Sequence, residues 1–224
     1  KHSGAGNKMI VSDAVFSMGG DIAPAEKLLD LAQRYHAWLY LDDAHGFGVL
    51  GANGQGSLAH QGFGEKARGY PGLVYMATLG KAAGVAGAFV SASADVIDWL
   101  VNKARTYIYT TAMPPALAAA VMESVRVIRD EPWRRDALRE NIRAFRSGCD
   151  GLRMRLSASD TPIQALILTR DDKALQVSDL LLARGVYVPA IRPPTVPPGT
   201  SRLRISLTAA HQLSDVRQLV ANLH

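Results

Sequence analysis

The chain has 224 residues, enough for one large domain or two modest ones. Hydrophobic residues at 48% and charged residues at 20% are ordinary for a soluble globular protein. The single cysteine excludes an internal disulfide, which makes the cytoplasm the simpler compartment, and no apolar run approaches the roughly 20 residues of a membrane span.

Lys1 to Lys8 is polar and small, with a basic patch but no apolar stretch behind it. It reads as a mobile end and not as a secretory signal. Met9 to Phe16 predicts a strand, followed by the turn Ser17-Met18-Gly19-Gly20-Asp21. Ser17 stands at that strand's end, where a turn serine bonding its own backbone and a ligand contact are both open. Pro24 starts a helix to about His36, with Leu28, Leu29, Leu31 and Ala32 at helical spacing. Trp38 to Leu41 is a run too short for a helix. It reads as a buried strand that ends in Asp42, Asp43, His45 and Gly46. Strand, helix and strand make a βαβ unit and imply a parallel sheet.

Gly46-Phe47-Gly48-Val49-Leu50-Gly51 matches G-x-G-x-x-G behind a strand. A dinucleotide site is rejected because residues 52–57 cannot open the helix it requires. The loop is better suited to close approach of backbone to a ligand or partner subunit. Leu39 to Asp43 also resembles the magnesium strand of a P-loop ATPase. The phosphate motif is absent, because Tyr75 stands at its first glycine and Ala82 follows Lys81.

A second short apolar run opens at Leu73 and delivers Thr78, Gly80 and Lys81. Ligands of open α/β sheets lie beyond the carboxyl ends of the strands. Asp42-x-x-His45 and Thr78-x-Gly80-Lys81 are therefore placed to share a pocket. Their chemistry fits pyridoxal phosphate (PLP): a lysine for a Schiff base, a carboxylate for the pyridine nitrogen, a histidine for the phenolate oxygen and a hydroxyl for the phosphate. The small residues after Lys81 together with Asp42, His45 and Thr78 predict its partial desolvation, which suits imine chemistry; without those three residues a solvated loop lysine is the better reading.

Further on, Phe89-Val90 is strand-like, Ala94 to Lys103 a helix and Tyr107 to Thr111 a short extended piece. Pro114-Pro115 starts a long helix to about Arg129. Pro132 starts another to about Leu156, with Ala137, Leu138, Ile142 and Phe145 on one face. Cys149 on that helix reads as inert, with no histidine near it. Much of the excess of Lys+Arg 25 over Asp+Glu 20 falls between Arg134 and Arg155. Asp136, Glu140 and Asp150 are interspersed there, so the stretch reads as a solvated helix face and not as a nucleic-acid surface. An anionic substrate would also suit this field. The end alternates: strand Pro162–Leu168, helix Lys173–Arg184, strand Val186–Pro189, strand Arg202–Leu207 and helix Gln212–Leu223. Prolines stiffen the loop Arg192 to Gly199, where a site preorganised by Arg192 and Thr195 for a carboxylate and an arginine in a solvated loop are both open. His60, His211 and His224 lack partners at metal spacing.

Asp42-Asp43-Ala44-His45-Gly46-Phe47-Gly48, Thr78-Leu79-Gly80-Lys81 and Ile191-Arg192-Pro193-Pro194-Thr195-Val196-Pro197 resemble the α-oxoamine synthases, PLP enzymes of fold type I. So do Val15 to Asp21, Tyr109 to Pro115 and Arg202 to His211. The likeness covers about Met9 to His224 and is strongest to the biotin-pathway branch. Gly19 and Leu79 are small departures. The resemblance implies an α/β fold, the C-terminal part of a fold type I transferase. Residues 1–115 would belong to the mostly parallel large domain, 116–160 would be linking helices and 161–224 a small C-terminal domain. A segment ahead of Lys1, carrying a glycine-rich phosphate turn and a ring-stacking residue, is implied, so this chain alone is expected to bind PLP poorly.

The implied reaction is decarboxylative condensation of L-alanine with a pimeloyl thioester. Lys81 would be the Schiff-base lysine and base, Asp42 the partner of the pyridine nitrogen and His45 that of the phenolate oxygen. Ser17 would contact PLP and Thr78 its phosphate. Thr110 or Thr111 would reach the phosphate of a partner subunit, in a homodimer whose active site lies at the subunit interface. Thr195 and Arg192 would meet substrate. No metal, nucleic acid or membrane enters this scheme. The alternatives are a sister enzyme using glycine or serine with another acyl-CoA, or a truncated chain without activity.

Overall fold

A computed structural model describes residues 6–224; residues 1–5, most of the stretch expected to be mobile, lie outside the described residues. The chain divides into two compact units. The first runs up to Val15 and takes in Ile22–Pro132, and the second combines Phe16–Asp21 with Trp133–His224.

The first unit contains β1 (Met9–Asp13), α1 (Ala25–Arg34), β2 (Trp38–Asp42), the short helices α2 (Ser57–His60) and α3 (Gly64–Arg68), β3 (Leu73–Thr78), β4 (Ala88–Ser91), α4 (Ala94–Lys103) and α5 (Pro115–Asp130). Its sheet runs β1-β2-β3-β4. The first three strands are parallel, as the βαβ reading predicts, and β4 is antiparallel to β3. Side chains alternate across a strand, so Leu39, Leu41, Leu73 and Ala77 turn to one face. There Leu39, Leu41 and Leu73 join Ala25, Leu29 and Ala32 of α1, spaced by four and three residues, in one core with Leu58 and Ala67. Each fully buried leucine contributes about 1.5–3 kcal/mol. Helix α1 begins directly after Pro24, whose ring sets φ at −75°. Below the helix, the Tyr70 hydroxyl donates to the carbonyls of Ala32 and Ala37.

The opposite face of the sheet carries Trp38, Tyr40 and Asp42 in register with Met9, Val11 and Asp13 of β1. Asp42 is also level with Met76, and Met76 with Val90. Met9, Val11 and Val90 are exposed on this face.

The second unit contains α6 (Trp133–Gly148), β5 (Arg155–Leu156), β6 (Ile163–Thr169), α7 (Asp171–Ala183), β7 (Ala190–Ile191), β8 (Ser201–Ser206) and α8 (Leu213–Leu223). Its sheet runs β5-β6-β8-β7 and every pairing is antiparallel. Leu166 lies opposite Leu203, and Gln164 opposite Ile205, on the buried face. Helices α6, α7 and α8 add Phe145, Leu181 and Val216 to the core.

The segment Phe16–Asp21 is built into this second unit. Arg204 Nε donates to the Ser17 carbonyl (2.6 Å) and Arg202 Nη1 to that of Met18 (3.3 Å). Ser157 Oγ donates to the Gly19 carbonyl (3.0 Å) and Ser159 Oγ to that of Gly20 (3.1 Å). Four successive carbonyls are thereby satisfied by side chains.

Several elements differ from expectation. The helix drawn to Leu156 stops at Gly148, and Gly151 at φ +84° confirms the break. Tyr107 to Thr111 is not extended. The amides of Tyr107 and Ile108 both donate to the Ala104 carbonyl, so α4 runs on into turns. Val186–Pro189 is not a strand, and pairing begins only at Ala190. Pro189 accepts from the Arg204 amide but has no N–H to return. Helix α5 groups with the first unit and α6 with the second.

Candidate active site

Strand β2 ends in Asp42, half-buried, whose Oδ1 accepts the Ala44 N–H at 2.9 Å. That bond starts the turn that carries His45, itself half-buried. On the neighbouring strand β3, Thr78 lies two residues beyond Met76 and therefore shares the face of Asp42. The Lys81 ammonium donates to Thr78 Oγ1 at 3.2 Å. Asp42, Thr78 and Lys81 are thus gathered at the carboxyl ends of two parallel strands, where open α/β sheets hold ligands. On the same face, burial pushes the Tyr40 phenol up, and the charge of Asp42 adds to it.

One expectation about this cluster fails. Lys81 is exposed, not partly desolvated. Its neighbours Gly80, Ala82, Gly84 and Ala86 carry too little side chain to enclose it.

Other expected site residues are placed separately. Thr110 and Thr111 are exposed in the irregular stretch before α5, and the Thr110 hydroxyl donates to the Thr106 carbonyl at 2.8 Å. Ser17 lies in the half-buried turn of the second unit. Arg192 and Thr195 are exposed in the second unit's proline loop, joined by a bond from the Thr195 amide to the Arg192 carbonyl at 3.0 Å. Val196, 4% exposed, anchors that loop.

Three polar residues stand out that the sequence reading gave no role. Buried Asp43 accepts a part-buried hydrogen bond of 2.7 Å from the Tyr75 hydroxyl. Strand parity carried the signal, since inward Leu39 and Leu41 put Asp43 inward too. Arg204 lines a cavity of about 470 Å³ in the second unit with His211 and Asp215, and burial pushes its guanidinium down.

The pattern described as Aminotransferase class I and II matches residues 1–223, and the chain belongs to that family. Within it, the chain is similar to the 8-amino-7-oxononanoate synthases of Thiobacillus denitrificans (56% identical) and Nitrosospira multiformis (52%). Each comparison covers 99% of this chain, with 56% and 54% of the relative respectively. The chain thus spans about half the length of the curated relatives it matches. Among solved structures, a serine palmitoyltransferase of Sphingomonas wittichii superposes with TM-score 0.88 at 29% identity, covering 98% of this chain and 54% of that one. An 8-amino-7-oxononanoate synthase of Francisella tularensis gives TM-score 0.83 at 31% identity, covering 98% and 62%. The α/β architecture is that of these fold type I transferases.

Proposed function

We propose that this chain supplies the lysine-bearing part of a PLP-dependent acyltransferase that condenses L-alanine with a pimeloyl thioester. The products are 8-amino-7-oxononanoate, CO2 and a free thiol. The observation that carries this reading is the grouping of Asp42, Thr78 and Lys81 at adjacent strand ends. It is supported by 52–56% identity to curated synthases of that name. The serine-specific alternative rests on structures that are 29–30% identical.

The residues present fit the cofactor. A pyridine ring bearing an aldehyde and a phosphate needs an acid, an amine and a hydroxyl, and Asp42, Lys81 and Thr78 provide one of each. PLP supplies, when bound, an electron sink for charge developing at the amino-acid Cα. Asp42 would hold a proton on the ring nitrogen, and His45 would hydrogen-bond the phenolate oxygen. The Lys81 amine would accept the Cα proton, and the exposed, flexible stem that now lets it reach Thr78 suits a group that must move. The resemblance also implies cofactor contacts for Ser17, Thr110 and Thr111 and substrate contacts for Arg192 and Thr195. A homodimer in the cytoplasm completes the proposal. Among the described residues no helix is long and apolar enough to cross a membrane.

Borohydride reduction of the PLP-loaded full-length protein, followed by peptide mapping, tests the assignment. Label on the peptide holding Lys81 is expected. Label on Lys66 or Lys103 instead would overturn it.

A further inference from the structure

Next to Asp42 lies a buried carboxylate that the proposed chemistry does not use. Asp43 is 0% exposed. Its Oδ2 accepts two hydrogen bonds of 2.7 Å, one from the Ser57 amide and one from the Tyr75 hydroxyl. Its backbone N–H donates to the Met76 carbonyl on β3 (2.8 Å), and its own carbonyl accepts the amides of Gly46 (3.0 Å) and Phe47 (2.9 Å). One residue therefore fastens the end of β2 to β3, closes the turn that contains His45, and ties down the far end of the loop at α2.

The packing leaves this arrangement little slack. A Cβ added at Gly46 would come within 2.1 Å of Asp43 Oδ1, and one at Gly56 within 2.2 Å of Oδ2. Backbone lies directly against both carboxylate oxygens, so displacing Asp43 displaces the loop. Asp42 is bonded to Asp43 covalently, and His45 is two residues on.

We propose that Asp43 is a positioning residue whose buried carboxylate, braced by Tyr75 and Ser57, sets the turn that aims Asp42 and His45 at the cofactor ring. This role rests on the PLP reading above. It requires an acceptor at the place of Oδ2 and does not require a charge. Oδ1 takes no hydrogen bond among the described residues, and burial pushes the carboxyl up against the lowering pull of Tyr75 and the Ser57 amide. Asparagine meets the requirement, because its carbonyl oxygen accepts both bonds. Alanine does not.

The experiment compares PLP-loaded full-length wild type with Asp43→Ala, Asp43→Asn, Tyr75→Phe and Leu58→Ala. Leu58 is a core side chain of the same unit and serves as the control for plain destabilisation. The readouts are kcat, the KM for alanine, and the visible circular dichroism per bound cofactor, which reports how the ring is held. Asp43→Ala is expected to lower kcat by about 10²-fold, the scale of a misplaced catalytic group, with little change in KM and most of the circular dichroism lost. Asp43→Asn should restore both, and Leu58→Ala should keep the circular dichroism. If Asp43→Ala does not fold, Tyr75→Phe removes a single brace and should show the same losses in smaller measure. Unchanged circular dichroism and kcat in a loaded Asp43→Ala, or in a loaded Tyr75→Phe where the alanine variant does not fold, would overturn the role. So would equal losses in Leu58→Ala. Wild type that takes up no PLP is a different failure and overturns the cofactor reading itself.

Discussion

Gly56→Ala is the most exacting test of how the loop beside the site is held. Gly56 has φ 104° and ψ −170°, a region essentially reserved for glycine, and alanine there costs about 1–3 kcal/mol in backbone strain. The added Cβ would also fall 2.2 Å from Asp43 Oδ2 and 2.4 Å from the Tyr75 hydroxyl oxygen. One of their charge-assisted hydrogen bonds must open to relieve that overlap, at about 1.5–3 kcal/mol. Together these amount to about 2.5–6 kcal/mol. Gly62 offers the matched comparison, with φ +80° but nothing within 4 Å of its added Cβ. Gly62→Ala should cost only the conformational penalty, about 1–2 kcal/mol. Urea unfolding gives both losses. Amide exchange at Ser57 locates the first, and it should speed by about 10²- to 10⁴-fold in Gly56→Ala. Equal losses in the two variants would refute the argument that the Asp43 cradle is tight.

Asp42→Asn should leave PLP bound while turnover falls by about 10²- to 10³-fold, because an amide cannot hold the ring nitrogen protonated. Turnover measured against cofactor stoichiometry checks this, and near-normal rates would count against the whole cluster. Cys149 should resist alkylation, since burial pushes its thiol up to about 11 and leaves a thiolate fraction of about 10⁻³ at pH 8. That shift favours the neutral thiol in the folded state. Its contribution to stability is complete below the ordinary value near 9.0 and is lost as pH climbs through about 11. The unfolding midpoint of wild type should therefore drop more between these two values than that of Cys149→Ala.

Periodicity placed several elements accurately, though it carried α6 eight residues too far, to Leu156 and not Gly148. Helix α4 occupies the predicted residues, and α1, α5 and the strands that bear Asp42 and Thr78 start or stop within a residue or two of expectation. Alternation along Leu39 to Asp43 even held the burial of Asp43. What could not be read is what a lone sequence does not encode locally. Tyr107 to Thr111, rich in β-formers, is drawn into turns by the Ala104 carbonyl. Val186–Pro189 looks like a strand until Pro189 fails to return a hydrogen bond. The exposure of Lys81 depends on which side chains surround it in space, and small residues in sequence were a poor guide to that.

The capture of Phe16–Asp21 by the second unit has a consequence for synthesis. Arg204 reaches the Ser17 carbonyl across 187 positions of sequence, and Arg202 reaches Met18 across 184. A ribosome adding about 5–20 residues per second delivers the arginines about 10–40 s after the segment they hold. During that interval the Ser17 and Met18 carbonyls lack the arginines that hold them in the finished fold. The second unit can nucleate its helices and hairpins locally, but its last hydrogen bonds await a partner made long before. A piece expressed from Trp133 onward never meets that partner. Its Arg202, Arg204, Ser157 and Ser159 would lack the four carbonyls that they bind in the whole fold.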